Sequence, residues 1–566
     1  MTALNPIHTR EAQCQDCCRC IRQCPVKAIA RDHGSARVDG RSCVLCGHCV
    51  KVCPAGAKVI RDDKDVVRDL LATGARPWLS LAPSWPAEFP DWTPGRWVAA
   101  ARALGFAGVS ETALGAQAVI GALAPVLESR PGLHLSTACP TVVGSILKYH
   151  PGLSNLLTPV PSPLNAHARG LKALYGTETP VVFVGPCAAK KHEADREPGL
   201  IAAALTFQEW EQLVADHGRI PPESGDFEPW PAGPGAAFAL DGGMKQAFDR
   251  QAPGAGWHCL SISGFDAVQR TLAEAAEAHR RFSGDGQSVF LELLSCEGGC
   301  THGPGTSRSP LEPLSGRLRV EARLNTRLPS FPSGPLTAVW TPDPVVRDPV
   351  DEETMGAILH RLGKATPRDQ LNCSGCGYET CRQFAEAVGR GRAETDMCVS
   401  FNRKWAQKKL SALVRTMPFA LVIADDGLRI LEANGPFVAL AGGEAQTLAD
   451  CVPGLEGLAL GDFVPFANRF REVLDTGSPR IDRNLAWAGR QLDGWLFPID
   501  DGRAVGGLFQ DVTEVRERQG RVVDQTRAVL RKNVEIVQKI AFLLGENAAD
   551  TEAILNSILL TFGDEP

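Results

Sequence analysis

The strongest constraint on this chain is a cysteine repeat near its N-terminus. Thiolate sulfur is a soft ligand suited to iron–sulfur clusters and to zinc. The first motif is Cys14-x-x-Cys17-x-x-Cys20-x-x-x-Cys24-Pro25, and it recurs as Cys43-x-x-Cys46-x-x-Cys49-x-x-x-Cys53-Pro54. Three cysteines at i, i+3 and i+6 lie around one loop and can hold three corners of a cubane. The fourth, before proline, ligates the neighbouring cluster.

The spacing therefore predicts two interlocked [4Fe-4S] clusters, as in a bacterial two-cluster ferredoxin. Cluster one takes Cys14, Cys17, Cys20 and Cys53, and cluster two takes Cys43, Cys46, Cys49 and Cys24. A pair of zinc ribbons is the alternative, but zinc sites rarely use this triple spacing followed by Cys-Pro. The extra thiol, Cys18, is expected to be structural.

Composition and charge limit the cellular compartment and the kinds of binding partner that the chain could have. The 566 residues contain 19 cysteines in tight clusters, and residues 1–6 have no apolar core like that of a signal peptide, so metal binding is favoured over disulfides. The net charge is −6 and no basic patch is interleaved with aromatics, which argues against a nucleic-acid surface. The longest nearly uncharged stretch, residues 112–127, is short for a membrane span. We expect a soluble, cytoplasmic protein.

Residues 70–335 alternate apolar strand-like runs with helix-like segments, which predicts an α/β region with buried, largely parallel strands. Cys139, Cys187 and Cys296 each follow an apolar run, so all three should emerge at the carboxyl edge of a sheet, where open α/β sheets bind ligands. Cys296-Glu-Gly-Gly-Cys300 places two small residues before a fourth thiol, and we expect them to leave room beside a bulky cluster. These four sulfurs could hold one cubane.

Three ordered segments give this region a specific resemblance. They are Ser136-Thr-Ala-Cys-Pro140, Gly185-Pro-Cys-Ala-Ala-Lys-Lys-His-Glu193 and Glu292-Leu-Leu-Ser-Cys-Glu-Gly-Gly-Cys-Thr-His-Gly-Pro-Gly305. They resemble the signature loops T-S-C-C-P, M-P-C-x-x-K-x-x-E and E-x-M-x-C-x-x-G-C-x-x-G-G-G of the [FeFe]-hydrogenase family. The resemblance implies an H-cluster, a [4Fe-4S] cubane joined through a cysteine to a diiron unit with CO, cyanide and dithiolate ligands.

The same resemblance assigns roles to individual residues. It implies that Cys139, Cys187 and Cys296 hold the cubane and that Cys300 bridges it to the diiron unit. Lys190 matches a lysine that donates to an iron-bound cyanide, and Ser84 matches a donor to the other cyanide. An ammonium suits an anionic ligand in a dry pocket. Without the motif, Lys190 or Lys191 would be interpreted as a solvated surface lysine.

The departures from the family pattern point away from rapid turnover. Ala138 stands where catalytic members carry a proton-relaying cysteine, and a methyl group neither gives nor accepts a proton. Gly121 and Ala122 fall near the glutamates of the same relay, and the remaining replacements are Gly185, Leu294 and Val142. Relays of this kind contribute ~10²–10⁴-fold in rate. The pattern is similar to the sensory groups of the family.

A third cysteine cluster comprises Cys373, Cys376, Cys381 and Cys398. It resembles a small four-cysteine [4Fe-4S] module found on sensory hydrogenases and some electron-transfer subunits, and a tetrahedral Cys₄ zinc site is the alternative. Its place in the sequence, between the central domain and the C-terminal region, makes it a candidate electron exit.

The C-terminal region is expected to carry the output. Residues 403–515 resemble a PAS domain, and 421–434 should form two strands around an Asp-Asp-Gly turn. No histidine follows His360, so His-ligated haem is excluded there, and Cys451 is expected to be a core residue rather than a flavin-adduct site. We interpret this region as a cofactor-free dimerisation and relay module. The last helices, with Val523, Leu530, Val537 and Leu544 in heptad spacing, form either a dimer or partner surface or an intramolecular seam.

The predicted fold is thus a multidomain α/β protein with five parts. They are a two-cluster ferredoxin domain (1–65, α+β), an H-cluster-type α/β domain (66–345), a small Fe-S module (346–400), a PAS domain (401–515, α+β) and C-terminal helices (516–566). The function favoured is a hydrogen sensor with low hydrogenase activity. Its expected partners are H2 and protons, a redox partner such as ferredoxin, a signalling kinase or phosphatase, the maturases and a second copy of the chain. The alternatives are a metabolic ferredoxin-linked hydrogenase and an electron-transfer or assembly protein without the diiron unit.

Overall fold

The computed structural model describes residues 5–513, with short gaps at 33, 252–256, 285–287, 307–312, 326 and 329, together with 532–534 and 537. The chain divides into two compact units, Met1–Met397 and Cys398–Pro566. The predicted C-terminal helical segment, 516–566, lies outside the described residues except for 532–534 and Val537. Within the described part of the chain, no helix is both long and apolar enough to cross a membrane.

The two halves of the N-terminal cysteine repeat also share a similar backbone conformation. Two short antiparallel pairs and two short helices make up this region: β1 (Ile7–Thr9) with β4 (Lys58–Ile60), β2 (Ile29–Asp32) with β3 (Ser35–Val38), α1 (Arg19–Gln23) and α2 (His48–Val52). Cys18 precedes α1 at φ 55°, and Gly47 precedes α2 at φ 72°. Cys24 and Cys53 follow the two helices in extended conformation. Cys18 therefore occupies the left-handed position that glycine fills in the second repeat.

We predict that Cys18→Gly leaves the iron content unchanged and keeps the free energy of unfolding within about 1 kcal/mol of the wild-type value. Glycine removes the backbone strain of the left-handed conformation, and this gain offsets the lost packing of the cysteine side chain. Cys18→Val should cost more than this, since a β-branched residue is strained at positive φ. Iron analysis and denaturant unfolding of both variants provide the check. Loss of iron in Cys18→Gly would make this thiol a ligand.

The central region contains the predicted parallel strands. In the described part of the chain they form two sheets, ordered β6-β5-β8-β9 and β10-β11-β7, with every pairing parallel. The strands are β5 (Trp78–Leu81), β6 (Gly108–Glu111), β7 (Gly132–Leu135), β8 (Val181–Gly185), β9 (Ala203–Thr206), β10 (Trp257–Ser263) and β11 (Ser288–Leu294). The predicted mixed α/β architecture is confirmed.

Helices cover these sheets and bury their apolar side chains. They are α3 (Lys64–Ala72), α4 (Trp85–Glu88), α5 (Pro94–Leu104), α6 (Ala113–Ser129), α7 (Pro140–Tyr149), α8 (Pro163–Tyr175), α9 (Ala189–Arg196), α10 (Phe207–His217), α11 (Gly243–Gln251), α12 (Phe265–Gly284) and α13 (Pro313–Glu321). Strands β5, β8 and β11 are buried along their whole length. Strands buried along their whole length are typical of parallel sheets covered on both faces.

A buried ionic network joins the segment after β4 to the central region. The ammonium of Lys191, which is fully buried, lies 3.1 Å from Asp63 Oδ2 and 2.9 Å from Glu209 Oε1. It also donates to the carbonyl of Ala204 at 2.8 Å. Arg61 pairs with Asp63 as well, at 2.7 Å. Lys191 is therefore not the solvated surface lysine that it would be taken for without the motif. Three acceptors surround its ammonium, so the charge is paired inside the protein.

The remaining part of the first unit is a small module with two helices, α14 (Glu352–Arg361) and α15 (Cys381–Gly389). Asp351 caps α14 by accepting from Thr354 N at 2.7 Å, and Thr380 caps α15 through a reciprocal capping box with Gln383. The loop before α15 carries the first two cysteines of the third cluster.

The second unit contains an antiparallel sheet in the order β13-β12-β16-β15-β14. Its elements are α16 (Val399–Thr416), β12 (Ala420–Asp425), β13 (Ile430–Ala433), α17 (Gly435–Ala441), α18 (Gly443–Cys451), α19 (Ala467–Thr476), β14 (Arg480–Trp487), β15 (Arg490–Ile499) and β16 (Ala504–Asp511). The predicted pair of strands around Asp-Asp-Gly is confirmed as β12 and β13. Cys451 is exposed at the end of α18, so the prediction of a core cysteine is wrong.

Aromatic side chains fill the interior between this sheet and its helices. Phe437, Phe466, Trp487 and Phe509 pack against one another with ring centroids 5.6–6.5 Å apart. Gly507 leaves space for the ring of Phe470, which lies 2.5 Å from the position that a Cβ on residue 507 would occupy. In a separate apolar cluster of the same unit, Val537 packs with Val414 and Leu421. At this position, the C-terminal apolar stripe contributes to an intramolecular seam.

Candidate metal centres

The four cysteines of the central region lie where the sequence predicted, just beyond strand ends. Cys139 is the residue before α7, Cys187 follows β8, and Cys296 follows β11. Cys300 begins a short 3₁₀ turn, Cys300–His302. Cys187 follows a strand of the first sheet, whereas Cys139 and Cys296 follow neighbouring strands of the second, so the prediction of a single sheet edge is wrong. The thiols come together from the carboxyl ends of two parallel sheets.

The structure brings these four thiols together. Cys300 interacts electrostatically with Cys139, Cys187 and Cys296, and all three are close enough to affect its ionisation. Burial raises the pKa of Cys187 to about 11 and that of Cys296 to about 12, and it raises the pKa of Cys300 well above its usual range. The thiols of Cys187, Cys296 and Cys300 are therefore neutral near pH 7, and a bound metal would have to displace their protons.

Within the described residues, no three His, Cys, Asp or Glu side chains form a compact single-ion site. A cubane needs a different arrangement of ligands from a single ion. It binds one thiolate at each of its irons, so the four sulfurs lie farther apart than they would around one ion. Four clustered soft ligands fit that group in number and chemistry.

The glycines between Cys296 and Cys300 have a reason other than the predicted one. Gly298 and Gly299 have φ values of 74° and 98°, in the left-handed region. A Cβ on Gly299 would lie 2.5 Å from the carbonyl oxygen of Ala239. The expected room beside a cluster is thus not what this position provides. Gly299 instead permits close contact with the backbone at 239–241.

Lys190 is buried beside the central thiols rather than solvated. Its Nζ lies 2.5 Å from Glu193 Oε2 and donates to Ser162 Oγ at 3.0 Å. Its positive charge also lowers the pKa of Cys187 and Cys300 against the effect of burial. The Lys-x-x-Glu spacing on α9 therefore holds an ammonium close to the predicted cubane ligands.

Ser84, the other predicted cyanide donor, comes directly before α4. Its side chain is 1% exposed, and its hydroxyl has no hydrogen-bond partner among the described residues. Buried hydroxyls without partners are uncommon, and each calls for a ligand, water or other explanation. A donor for an iron-bound cyanide fits the position that the family resemblance gives to Ser84.

The relay positions are apolar in the structure. Ala138 and Ala122 both pack against one apolar cluster that includes Ile120 of α6. Gly121 is exposed, and a Cβ there would meet no atom within 4 Å. Of the two α6 positions suggested by sequence, Ala122 is therefore the one that shares surroundings with Ala138.

The other replaced positions are also filled by apolar packing. Val142 and Leu294 are buried. At Gly185, a Cβ would lie 2.5 Å from the ring of Phe183 and 2.7 Å from Cβ of Ala82. The space that a methionine side chain would need at 185 is thus occupied from within this chain.

The N-terminal cysteines separate into the two groups that the spacing predicted. Cys20 interacts electrostatically with Cys14, Cys17 and Cys53. Cys49 interacts with Cys24, Cys43 and Cys46. Each fourth cysteine thus lies with the opposite motif.

The second N-terminal group also adjoins the central site. Cys46 interacts with Cys296, and a Cβ on Gly47 would lie 2.2 Å from Cβ of Pro304. Only a glycine allows these two loops to approach this closely. The cluster-two ligands therefore adjoin the third signature loop.

The cysteines of the third cluster differ in exposure. Cys373 is exposed, Cys376 is half-buried, and Cys381 is buried as the first residue of α15. Asn372 accepts from Cys381 N at 2.8 Å, which folds the loop back onto the start of the helix. Cys398, the fourth predicted ligand, is the first residue of the second unit and caps α16.

Glu292 begins the third signature segment, but the sequence analysis gave it no role. It is fully buried in β11 and accepts from Met244 N at 3.0 Å and Lys245 N at 3.4 Å. Burial raises the pKa of its carboxyl to about 7. The available signal was a lone carboxylate within an otherwise apolar run.

The raised pKa of Glu292 predicts a pH dependence of stability. Because the folded pKa lies above the unfolded value, the folded chain binds the extra proton, and stability falls as pH rises from about 4.5 to about 7. A tenfold difference in proton affinity between the folded and unfolded states corresponds to about 1.4 kcal/mol. Glu292→Gln should flatten the dependence of the denaturant midpoint on pH between about 5 and about 8. An unchanged slope in the variant would contradict the assignment.

Clustered thiols just beyond the carboxyl ends of parallel strands, with more thiols beside them, are typical of an iron–sulfur protein. Residues 76–304 match the family model for the iron only hydrogenase large subunit, C-terminal domain. Residues 369–400, which include all four cysteines of the third cluster, match a model described as "Putative Fe-S cluster", and 408–479 match a PAS domain. The central region is therefore similar to the iron only hydrogenase large subunit, and the chain carries further matches to an Fe-S cluster model and a PAS domain.

Two characterised relatives agree with this. Iron hydrogenase 1 of Clostridium pasteurianum is 28% identical over 259 residues, covering 37% of this chain and 45% of the relative. The NADP-reducing hydrogenase subunit HndD of Solidesulfovibrio fructosivorans is 24% identical over 367 residues, covering 52% and 62%. The match thus spans about half the length of these relatives. A variant of [FeFe]-hydrogenase HydA1 from Chlamydomonas reinhardtii is similar over 50% of this chain and all of its own, with 19% identity and a TM-score of 0.37.

Proposed function

We propose that the chain is a sensory [FeFe]-hydrogenase that reacts slowly with H2 and passes electrons or a signal to its PAS and helical output. The observation that carries the proposal is the contrast at the central site. Four clustered thiols and a buried ammonium are kept, while Ala138, at the relay position, presents a methyl group.

The residues present fit an H-cluster. Cys139, Cys187 and Cys296 would hold its cubane, Cys300 would bridge to its diiron unit, and Lys190 and Ser84 would donate to the cyanides. When bound, this group supplies an iron site at which H2 is cleaved to protons and electrons.

Slow reaction follows from the surroundings of the site. Neither Ala138 nor Ala122 can carry a proton, and both pack among apolar side chains. A proton leaving the site would therefore lack a side-chain carrier at both positions. Losing a relay costs ~10²–10⁴-fold in rate while leaving hydrogen binding intact.

The proposed electron transfer and signalling output depend on the regions outside the central domain. The two N-terminal groups would hold [4Fe-4S] clusters, and the 373–398 cysteines would hold a third. The PAS domain would relay the redox state to a signalling kinase or phosphatase, and a ferredoxin would serve as the redox partner. A PAS domain alongside iron–sulfur and hydrogenase-type domains supports a signalling output.

Film electrochemistry of the maturated protein tests the proposal. We expect a catalytic current from H2 that is small per adsorbed molecule, together with reduction of the iron–sulfur clusters under H2. A large catalytic current at low overpotential would contradict a sensory role and would favour a metabolic hydrogenase with another proton path.

A further inference from the structure

The third cysteine module packs against the N-terminal cysteine region in the first unit. Two hydrogen bonds to backbone carbonyls link the two regions. Arg31 N donates to Arg392 O at 3.1 Å, and Arg347 Nη2 donates to Val26 O at 3.1 Å. Its position between the central domain and the C-terminal region in sequence did not predict this docking.

Charged side chains reinforce the docking at one corner. Arg392 lies 2.8 Å from Asp39 Oδ2 and donates to the carbonyl of Lys27 at 2.9 Å. Arg31 pairs with Glu394 at 3.3 Å and also with Asp396. Both arginines are largely buried, so these bonds are shielded from water more than surface pairs are.

The cysteine loop of the module makes the closest approach. Gly377, at φ 90°, lies so near α1 that a Cβ there would be 2.4 Å from Cα of Arg22. Lys27 donates to the carbonyl of Arg22 at 3.0 Å, and its ammonium lies 5.7 Å from the ring centre of Tyr378. Tyr378 is buried. The loop thus contacts the segment that carries Cys24.

Lys27 and Tyr378 identify which of the two N-terminal thiol groups lies next to the third cysteine module. Lys27 interacts electrostatically with Cys24 and with Cys376. Tyr378 interacts with the same two cysteines. Cys24 belongs to the second group, whose Cys46 interacts with Cys296 of the central site. The second group therefore adjoins both the central site and the module.

We propose that the second thiol group (Cys24, Cys43, Cys46 and Cys49) is an electron junction between the central site and the third cluster, and that Gly377, Tyr378 and Lys27 position the third cluster against it. The inference rests on the iron–sulfur content proposed above. Each transfer moves one electron: one cluster loses the electron and its neighbour gains it, and no bond or proton changes. The first group (Cys14, Cys17, Cys20 and Cys53) lies off this path.

The test uses the full chain loaded with cubanes but without the diiron unit, so that it does not depend on hydrogen chemistry. The protein is reduced with dithionite, and its electron paramagnetic resonance spectrum is recorded beside iron and sulfide content. We expect broadening from magnetic interaction between the second and third clusters. This broadening should persist in Cys17→Ser, which removes a ligand of the first cluster.

Matched glycine variants isolate the docking. In the Cys17→Ser background, Gly377→Ala should remove the share of the broadening that the third cluster causes, because its Cβ pushes the loop from Arg22. Gly391→Ala is the control, since Gly391 also has positive φ, at 66°, but a Cβ there meets no atom within 4 Å. If Gly377→Ala loses iron, Arg392→Met tests the same docking without touching the cysteine loop, and Arg382→Met serves as its control on the exposed pair with Glu352.

Three results would overturn the junction. They are unchanged broadening in fully loaded Gly377→Ala or Arg392→Met, broadening that vanishes in Cys17→Ser, and a wild-type spectrum without a third reduced cluster. Failure of the hydrogen-sensing proposal would appear elsewhere, in the electrochemistry of the maturated protein, so the two outcomes remain distinct.

Discussion

Replacing Ala138 by cysteine and Ala122 by glutamate together is expected to raise H2 turnover of the maturated protein by about 10²-fold. The cysteine restores a thiol that exchanges protons at the relay position, and the glutamate supplies the next carrier on α6. Ala138→Cys alone should gain less than about tenfold, because a proton passed to one thiol in apolar surroundings has no onward acceptor. H2 uptake with an artificial electron acceptor measures the change.

The neighbouring helix position offers a matched control. Gly121 is exposed, so Gly121→Glu adds the same charge to α6 without placing it in the apolar cluster that contains Ala138. Ala138→Cys with Gly121→Glu should therefore behave like Ala138→Cys alone. Equal turnover from the two double variants would contradict the relay explanation, as would no gain from either.

Lys191→Met is expected to destabilise the first unit by about 3–5 kcal/mol. The substitution leaves the carboxylates of Asp63 and Glu209 buried without their shared cation, and it also removes a donor from the Ala204 carbonyl. Denaturant unfolding followed by a signal from the first unit measures the loss.

Lys245→Met is the control for that loss. Its ion pair with Asp249 is 2.7 Å long, but both side chains are at least half exposed, and such pairs contribute only about 0–1 kcal/mol. Similar midpoints for Lys191→Met and Lys245→Met would show that the buried network does not stabilise the fold.

Local spacing explains what the sequence predicted well. The three cysteines of each Cys-x-x-Cys-x-x-Cys motif lie together because their spacing is local, and the fourth comes from the opposite motif as the Cys-Pro pattern predicted. Apolar runs located Cys139, Cys187 and Cys296 just beyond the ends of parallel strands, although these strands belong to two sheets and not to the one that was expected. The motif Lys-x-x-Glu marked the buried Lys190–Glu193 pair, which lies on one helix.

Contacts between distant segments could not be predicted in the same way. The partners of Lys191 come from positions 63 and 209, and no local pattern links them. The docking of Arg392 on Asp39 joins residues more than three hundred positions apart. The sequence alone did not explain Cys18, because its left-handed backbone appears only when the two repeats are compared in three dimensions.

Infrared spectroscopy of the protein co-expressed with the hydrogenase maturases tests the central claim most directly. The four converging thiols predict stretching bands of iron-bound CO and cyanide in the wild-type chain, and their loss in Cys300→Ser, which removes the proposed bridge. A maturated wild-type sample with full iron content but without those bands would contradict a hydrogen-linked function. An iron–sulfur electron-transfer protein would then be the better description.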